Sequence, residues 1–247
     1  MRERICAMET ADGPMTTFIV HPERSGPHPL VVFLMDAAGI REELRDMARR
    51  LATSGYYVML PNLFHRSGVE ELANDALLEE HKRLLDEVSN RTALADCAAV
   101  LEHAESDPEA NCGRIGVVGY CMSGQYAVQL AAARPDRVRA AASYHGVSLV
   151  TDAPDSPHKM MRKARAEFYF AHAELDAYAP LAMAYALRDA IAADGIAGEV
   201  EIYPGLDHGF VFPSRKAGMG SVLAPYDRNG DLRHWERLIA LFRRTIG

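Results

Sequence analysis

The sequence predicts an α/β fold: one mostly parallel, doubly wound sheet of about eight strands with an antiparallel N-terminal start. Three observations predict it. Strand-like and helix-like hydrophobic blocks alternate along nearly all of the 247 residues, as parallel strands joined by crossover helices do. Most later strand blocks are almost continuously apolar, the mark of strands covered on both faces. The first two strand blocks are separated only by Ala11-Asp12-Gly13-Pro14, a turn that suits a hairpin and is too short for a crossover.

Strands are expected over 4–8 and 17–21, paired across that turn. Strands over 30–34 and 56–60 follow, with a helix over 41–53 between them. That helix sets Leu44, Met47, Ala48 and Leu51 on one stripe, carries Glu42 and Glu43 in its first turn and meets Gly55 after its end. The block 69–88 is also helical by pattern, but it stretches the crossover beyond one βα unit. Residues 62–90 are therefore expected to be a cap or crossover insertion at the sheet's mouth, within a single domain spanning 1–247. A helix over 91–105 repeats the stripe with Leu94, Cys97, Ala98 and Leu101. The strand 114–119 breaks at Gly119, and a helix over 125–133 starts almost at once. Strands over 140–144, 167–170 and 200–203 alternate with a helix over 181–193. A last helix covers 232–245, with Asp231 as its N-cap.

Composition excludes several functions. Net charge is −7 and charged residues make up 25% of the chain, a poor basis for nucleic-acid binding, which rests on Lys and Arg contacts to phosphate. The densest basic group, Arg162-Lys163-Ala164-Arg165, reads as a solvated face. Arg2, Glu3 and Arg4 stand where a secretory signal needs an apolar core, and no apolar run approaches the roughly 20 residues that span a bilayer. Cys6, Cys97, Cys112 and Cys121 show neither a disulfide framework nor metal-ligand spacing; Cys6 and Cys97 read as small buried hydrophobes. A cytoplasmic location is expected, with no metal or other cofactor. Asp227-Arg228-Asn229-Gly230-Asp231 starts like a calcium loop, but its glycine is misplaced and Leu238 stands where the bidentate glutamate belongs. The glycines around residue 121 form neither a dinucleotide fingerprint nor a P-loop.

In open α/β sheets ligands bind beyond the carboxyl ends of the strands. Reading just past each strand gives Asp36-Ala37, Tyr120-Cys121, Glu174-Leu175-Asp176 and Asp207-His208. Thiol, carboxylate and imidazole thus appear in the chain order nucleophile, acid, histidine. Cys121 sits on a glycine-bounded turn that opens a helix, where the N-terminal dipole favours a thiolate. Ser123 falls on the helix side of the bend and is not a nucleophile candidate. Asp176 is preferred over Asp207 as the partner of His208, because neighbours in sequence point apart. His145 also ends a strand and is expected to line the pocket, while His81, His103 and His172 read as surface or packing residues.

The fragments Gly119-Tyr120-Cys121-Met122-Ser123-Gly124, Glu174-Leu175-Asp176 with Pro180 beyond, and Tyr203-Pro204-Gly205-Leu206-Asp207-His208-Gly209-Phe210 resemble the dienelactone hydrolase family. The resemblance runs from Thr17 to the final helix. It implies an α/β-hydrolase fold and a small ester or lactone substrate, cleaved by Cys121 as nucleophile, His208 as base and Asp176 as orienting carboxylate. The oxyanion would be held by the N–H of Met122 and an N–H at Ala37. Asp36 stands where the family carries a glutamate that contacts the resting thiol, which suggests a gate on Cys121. Asn62-Leu63-Phe64-His65-Arg66 resembles the stretch whose arginine binds the substrate carboxylate, pointing to Arg66. The family's second such arginine is replaced by Phe212. Tyr120, His145 and Phe212 are assigned to the substrate pocket, and the lost cation predicts a larger or more apolar substrate than a carboxylated dienelactone. Acyl transfer, C–C bond hydrolysis and a non-catalytic thiol sensor or ligand-binding module remain alternatives. The chain is expected to be a monomer or homodimer.

Overall fold

A computed structural model describes residues 1–72, 78–214 and 225–247. Eight strands form one sheet: β1 (Arg2–Thr10), β2 (Gly13–His21), β3 (His28–Leu34), β4 (Tyr57–Pro61), β5 (Ala110–Tyr120), β6 (Val138–Tyr144), β7 (Glu167–Ala173) and β8 (Gly198–Tyr203). Their order is β1-β2-β4-β3-β5-β6-β7-β8. β1 and β2 form a hairpin closed at Thr10 and Gly13, β2 runs antiparallel to β4, and every later pairing is parallel. The predicted fold class and its antiparallel start are therefore present. Each strand contains most or all of its predicted block, because an apolar run in this sheet has nowhere else to be buried.

The helices are α1 (Glu42–Thr53), α2 (Leu78–Glu87), α3 (Asn90–Ser106), α4 (Gly124–Ala133), the short α5 (Pro157–Met160), α6 (Leu181–Asp194) and α7 (Arg228–Thr245). α1 buries the predicted stripe of Leu44, Met47, Ala48 and Leu51. α3, α4 and α6 lie along one side of the sheet, linked through α5, while α7 packs on β6 and β7. The Arg50 guanidinium of α1 stacks over Trp235 of α7 at 4.3 Å, joining those two helices. The central strands are buried on both faces; Phe33, Phe168 and Phe170 are at most 1% exposed, each contributing roughly 1.5–3 kcal/mol by leaving water.

Three local expectations change. The last helix starts at Arg228, and its N-cap is Asp227, whose carboxylate accepts the N–H of Gly230 at 2.7 Å. Asp231 already lies in the first turn, so the acidic cluster is a helix start about one turn earlier than read. Cys6 is half-buried, because β1 is an edge strand with one open side. α5 has no counterpart in the sequence reading; four residues are too few to show a period. The block 69–88 contains α2, and residues 73–77 of the expected cap lie outside the described residues. No helix among the described residues is long and apolar enough to cross a membrane.

Candidate active site

β3 and β5 pair in register up to Leu34 and Gly119, so Asp36 and Cys121 leave the sheet side by side at its carboxyl edge. Cys121 opens a single 3-10 turn, Cys121–Ser123, with φ of +54°. That left-handed conformation costs a non-glycine residue about 1–3 kcal/mol and persists only when its surroundings hold it. Here Ser123 holds it. Its hydroxyl accepts the Tyr120 N–H at 3.1 Å and donates to the Leu34 carbonyl at 3.0 Å. Gly119 is required because a Cβ there would stand 2.3 Å from the Ser123 carbonyl oxygen. Gly119→Ala is expected to destabilise the chain by at least about 1–3 kcal/mol, read as a fall in the denaturant midpoint. A change within experimental error would mean that the turn is not tightly closed.

Asp176 follows β7 and is buried. Its Oδ1 accepts the N–H groups of Tyr178 and Ala179 at 2.8 and 3.0 Å. Its Oδ2 accepts from His208 Nδ1 at 2.7 Å. Since a carboxylate only accepts, Nδ1 carries the hydrogen and Nε2 faces the other way. The Cys121 sulfur acts electrostatically on the same ring. Burial opposes charge on this imidazole, but the Cys121 sulfur and the Asp176 carboxylate outweigh it, raising its pKa from 6.5 to about 9. The Asp207 carboxylate accepts the backbone N–H of His208 at 2.6 Å.

His145 has φ of +39° and donates its N–H to the Ala171 carbonyl at 2.8 Å. Its ring stands edge-on to His208 at 4.8 Å and to Phe212 at 5.4 Å. The exposed Tyr178 covers another side of His208, with ring centroids 5.0 Å apart. His172 is fully buried, and burial lowers its pKa to about 4 against the opposing pull of Asp176. It is therefore a neutral packing residue behind the carboxylate.

Three other predicted residues have different surroundings from those expected. Tyr120 is fully buried; its hydroxyl shares a hydrogen bond with His234 Nε2 at 2.8 Å, and its ring stacks on Tyr144. It belongs to the core, since adjacent strand residues face opposite sides of a sheet. The Arg66 guanidinium is taken up by buried Asp96, in two bonds of 2.9 and 2.8 Å, and by Asp12 at 2.8 Å. Asp36 accepts from Arg41 through both oxygens, at 2.7 and 3.2 Å.

Arg41 was missed by the sequence reading. It looked like a helix start, yet its guanidinium also binds Glu43 and lies 4.8 Å above the Phe212 ring. Glu43 in turn accepts both the N–H and the hydroxyl of Ser214. Asp36, Arg41 and Glu43 thus clamp the loop after β3 to the loop that carries His208. The only local signal was the spacing of two acids around one arginine, which is common on helices.

A family model described as the dienelactone hydrolase family matches residues 15–246. The carboxymethylenebutenolidase of Rhodococcus opacus is 26% identical over 238 residues, covering 90% of this chain and 84% of its own length. Among solved structures, a dienelactone hydrolase-like promiscuous phosphotriesterase from metagenomic libraries superposes with a TM-score of 0.82 at 22% identity, covering 100% of both chains. At that identity the likeness concerns the α/β-hydrolase fold.

Proposed function

Because this chain belongs to the dienelactone hydrolase family, whose members hydrolyse esters and lactones, we propose that it cleaves a small ester or lactone through Cys121, His208 and Asp176. The single observation that carries the reading is the His208 imidazole held by the doubly anchored carboxylate of Asp176 and influenced by the Cys121 sulfur. The raised pKa of His208, with Asp176 holding its Nδ1, suits this ring to take the Cys121 proton as the sulfur attacks. The thiolate attacks the ester carbonyl, and the developing oxyanion is held by the N–H groups of Met122 and Ala37. His208 protonates the departing alkoxide or enolate, leaving a thioester on Cys121. Having given up that proton, His208 is neutral, and with the sulfur's negative charge gone it stays so and serves as base for the attacking water. A thiolate is also a good leaving group, so the tetrahedral adduct goes forward only when the ester's own leaving group is better. That favours enol and phenol esters over amides.

In this reading Asp36 is not a gate. Arg41 neutralises it, which leaves the adjacent thiol free to pair with His208. The cations near the site bear on substrate as well. Arg66 is held by Asp96 and Asp12, Arg41 by Asp36 and Glu43, and Phe212, fully buried beneath the Arg41 guanidinium, brings no charge. A neutral acyl group fits such a site better than an anionic one.

Rapid mixing with a p-nitrophenyl ester should release a burst of one equivalent of phenolate, followed by steady turnover, with the acyl mass on the Cys121 peptide. A neutral enol-lactone should be preferred over its carboxylated analogue by at least about tenfold in kcat/KM, a difference of about 1.4 kcal/mol. A burst that turns over only with an added alcohol or amine would replace hydrolysis by acyl transfer. No acylation at all, with ready trapping of a sulfenic acid, would replace it by thiol sensing.

A further inference from the structure

At the opposite end of the sheet stand two histidines and a glutamate for which the reaction has no use. His21 is the last residue of β2, His28 the first of β3, and Glu109 immediately precedes β5. β3 alone separates this end from the catalytic edge by roughly 20 Å. We propose that His21, His28 and Glu109 bind a divalent transition-metal ion, with zinc the best fit, which ties the β2–β3 connection to the start of β5.

One donor atom from each of the three residues lies within 4.8 Å of the other two. The backbone already brings them together, since the His28 N–H donates to the Glu109 carbonyl at 2.8 Å. His21 is 2% exposed and its Nδ1 is 2.8 Å from the Pro22 carbonyl. A carbonyl only accepts, so Nδ1 holds the hydrogen and Nε2 presents a lone pair. A hydrogen bond from the far ring nitrogen to a carbonyl is the support that metal-binding histidines characteristically have. The His21 ring is further fixed by stacking on Tyr57 at 5.0 Å.

His28 supplies the second observation. It is 6% exposed, and its Nε2 is buried with no hydrogen-bond partner. Leaving such an atom unsatisfied costs about 1–3 kcal/mol, and a metal ion would satisfy it. Gly26 contributes space: a Cβ there would stand 2.5 Å from Glu109 Oε2, so only glycine leaves the carboxylate in place. The nearby charges do not repel a cation. Asp107 accepts the Glu109 N–H at 2.9 Å and pairs with Arg4, whose charge it offsets.

The donor set selects the ion. Two imidazoles and one carboxylate suit zinc, with water as a fourth ligand, whereas magnesium and calcium prefer oxygen throughout. Ligands about 2.1 Å from a tetrahedral zinc lie roughly 3.4 Å apart. Rotation of the half-buried Glu109 side chain and the His28 ring closes the remaining gap.

The test uses the full-length Cys121→Ala chain, stripped of metal, so that the catalytic sulfur cannot compete. Calorimetric titration with zinc chloride should show one saturable equivalent, and zinc should raise the melting temperature. Glu109→Gln removes a ligand and Gly26→Ala displaces one. Each should weaken zinc at least about tenfold, since even outer-sphere partners of metal sites are worth about 10–100-fold. With cobalt chloride, visible d–d bands should appear without a thiolate charge-transfer band. No saturable uptake, or uptake that neither substitution weakens, would overturn the site. A thiolate band would do the same by moving the metal to Cys6, Cys97 or Cys112. The melting curves of the metal-free variants show whether each one folds. None of these readouts depends on the hydrolase reading.

Discussion

Cys121→Ala is expected to lower kcat/KM for a p-nitrophenyl ester by about 10⁴-fold or more, the scale on which removing a nucleophile acts in comparable hydrolytic triads. The chain should still fold, because a smaller side chain at a half-buried turn position leaves the Ser123 hydrogen bonds and the Gly119 contact untouched. A second readout ties the loss to the proposed chemistry. The sulfur is the first-ranked influence raising the His208 pKa against burial. Without it, the pKa should fall from about 9 toward or below the ordinary imidazole value, followed by NMR of the ring proton across pH. Retention of more than about 1% of activity would exclude a reaction through this sulfur.

Asp176→Asn is expected to cost about 10²–10⁴-fold in kcat/KM, the upper end being the loss for the equivalent change in a serine triad. An amide can still accept the Tyr178 and Ala179 N–H groups, so the loop keeps its shape. What it loses is the negative charge and the certainty that Nδ1, rather than Nε2, carries the hydrogen. The pH profiles should separate this from a folding defect. In the parent, kcat/KM falls above pH 9, when His208 can no longer protonate the leaving group; in Asp176→Asn that basic limb moves to lower pH.

The same pair makes a stability prediction with a definite sign. The folded-state pKa of His208 lies above its ordinary 6.5. The contribution of this group is therefore complete below about pH 6.5 and is lost as pH rises through about 9. Melting temperatures between pH 7 and 9.5 should fall more steeply for the parent than for Cys121→Ala. Parallel curves would show that the sulfur and the imidazole are not coupled.

The framework was legible because it depends on short-range pattern. Apolar runs bounded by glycine and polar residues can only be strands of a covered sheet, and the α1 stripe repeats at helical spacing. The pairing of Asp176 rather than Asp207 with His208 was also readable, since one peptide unit cannot aim adjacent side chains at one point. Other features lacked any local trace. Tyr120 was assigned to the pocket from its place beside Cys121, yet strand alternation turned it onto Tyr144 and His234. Arg66 was assigned from its segment, but the residue that neutralises it, Asp96, lies in another helix.

By itself, then, the order of residues determined the α/β layout, the strand ends past which ligands are expected, and which thiol, imidazole and carboxylate to propose. Only the folded chain decided which charges remain available. Asp36 meets Arg41 across the folded loop after β3, while Arg41 meets Phe212 and Arg66 meets Asp96 through contacts between segments distant in sequence. The physical reason is that hydrophobic periodicity is written within a few residues, whereas the partner of a buried charge is chosen by whatever packing brings within hydrogen-bond reach.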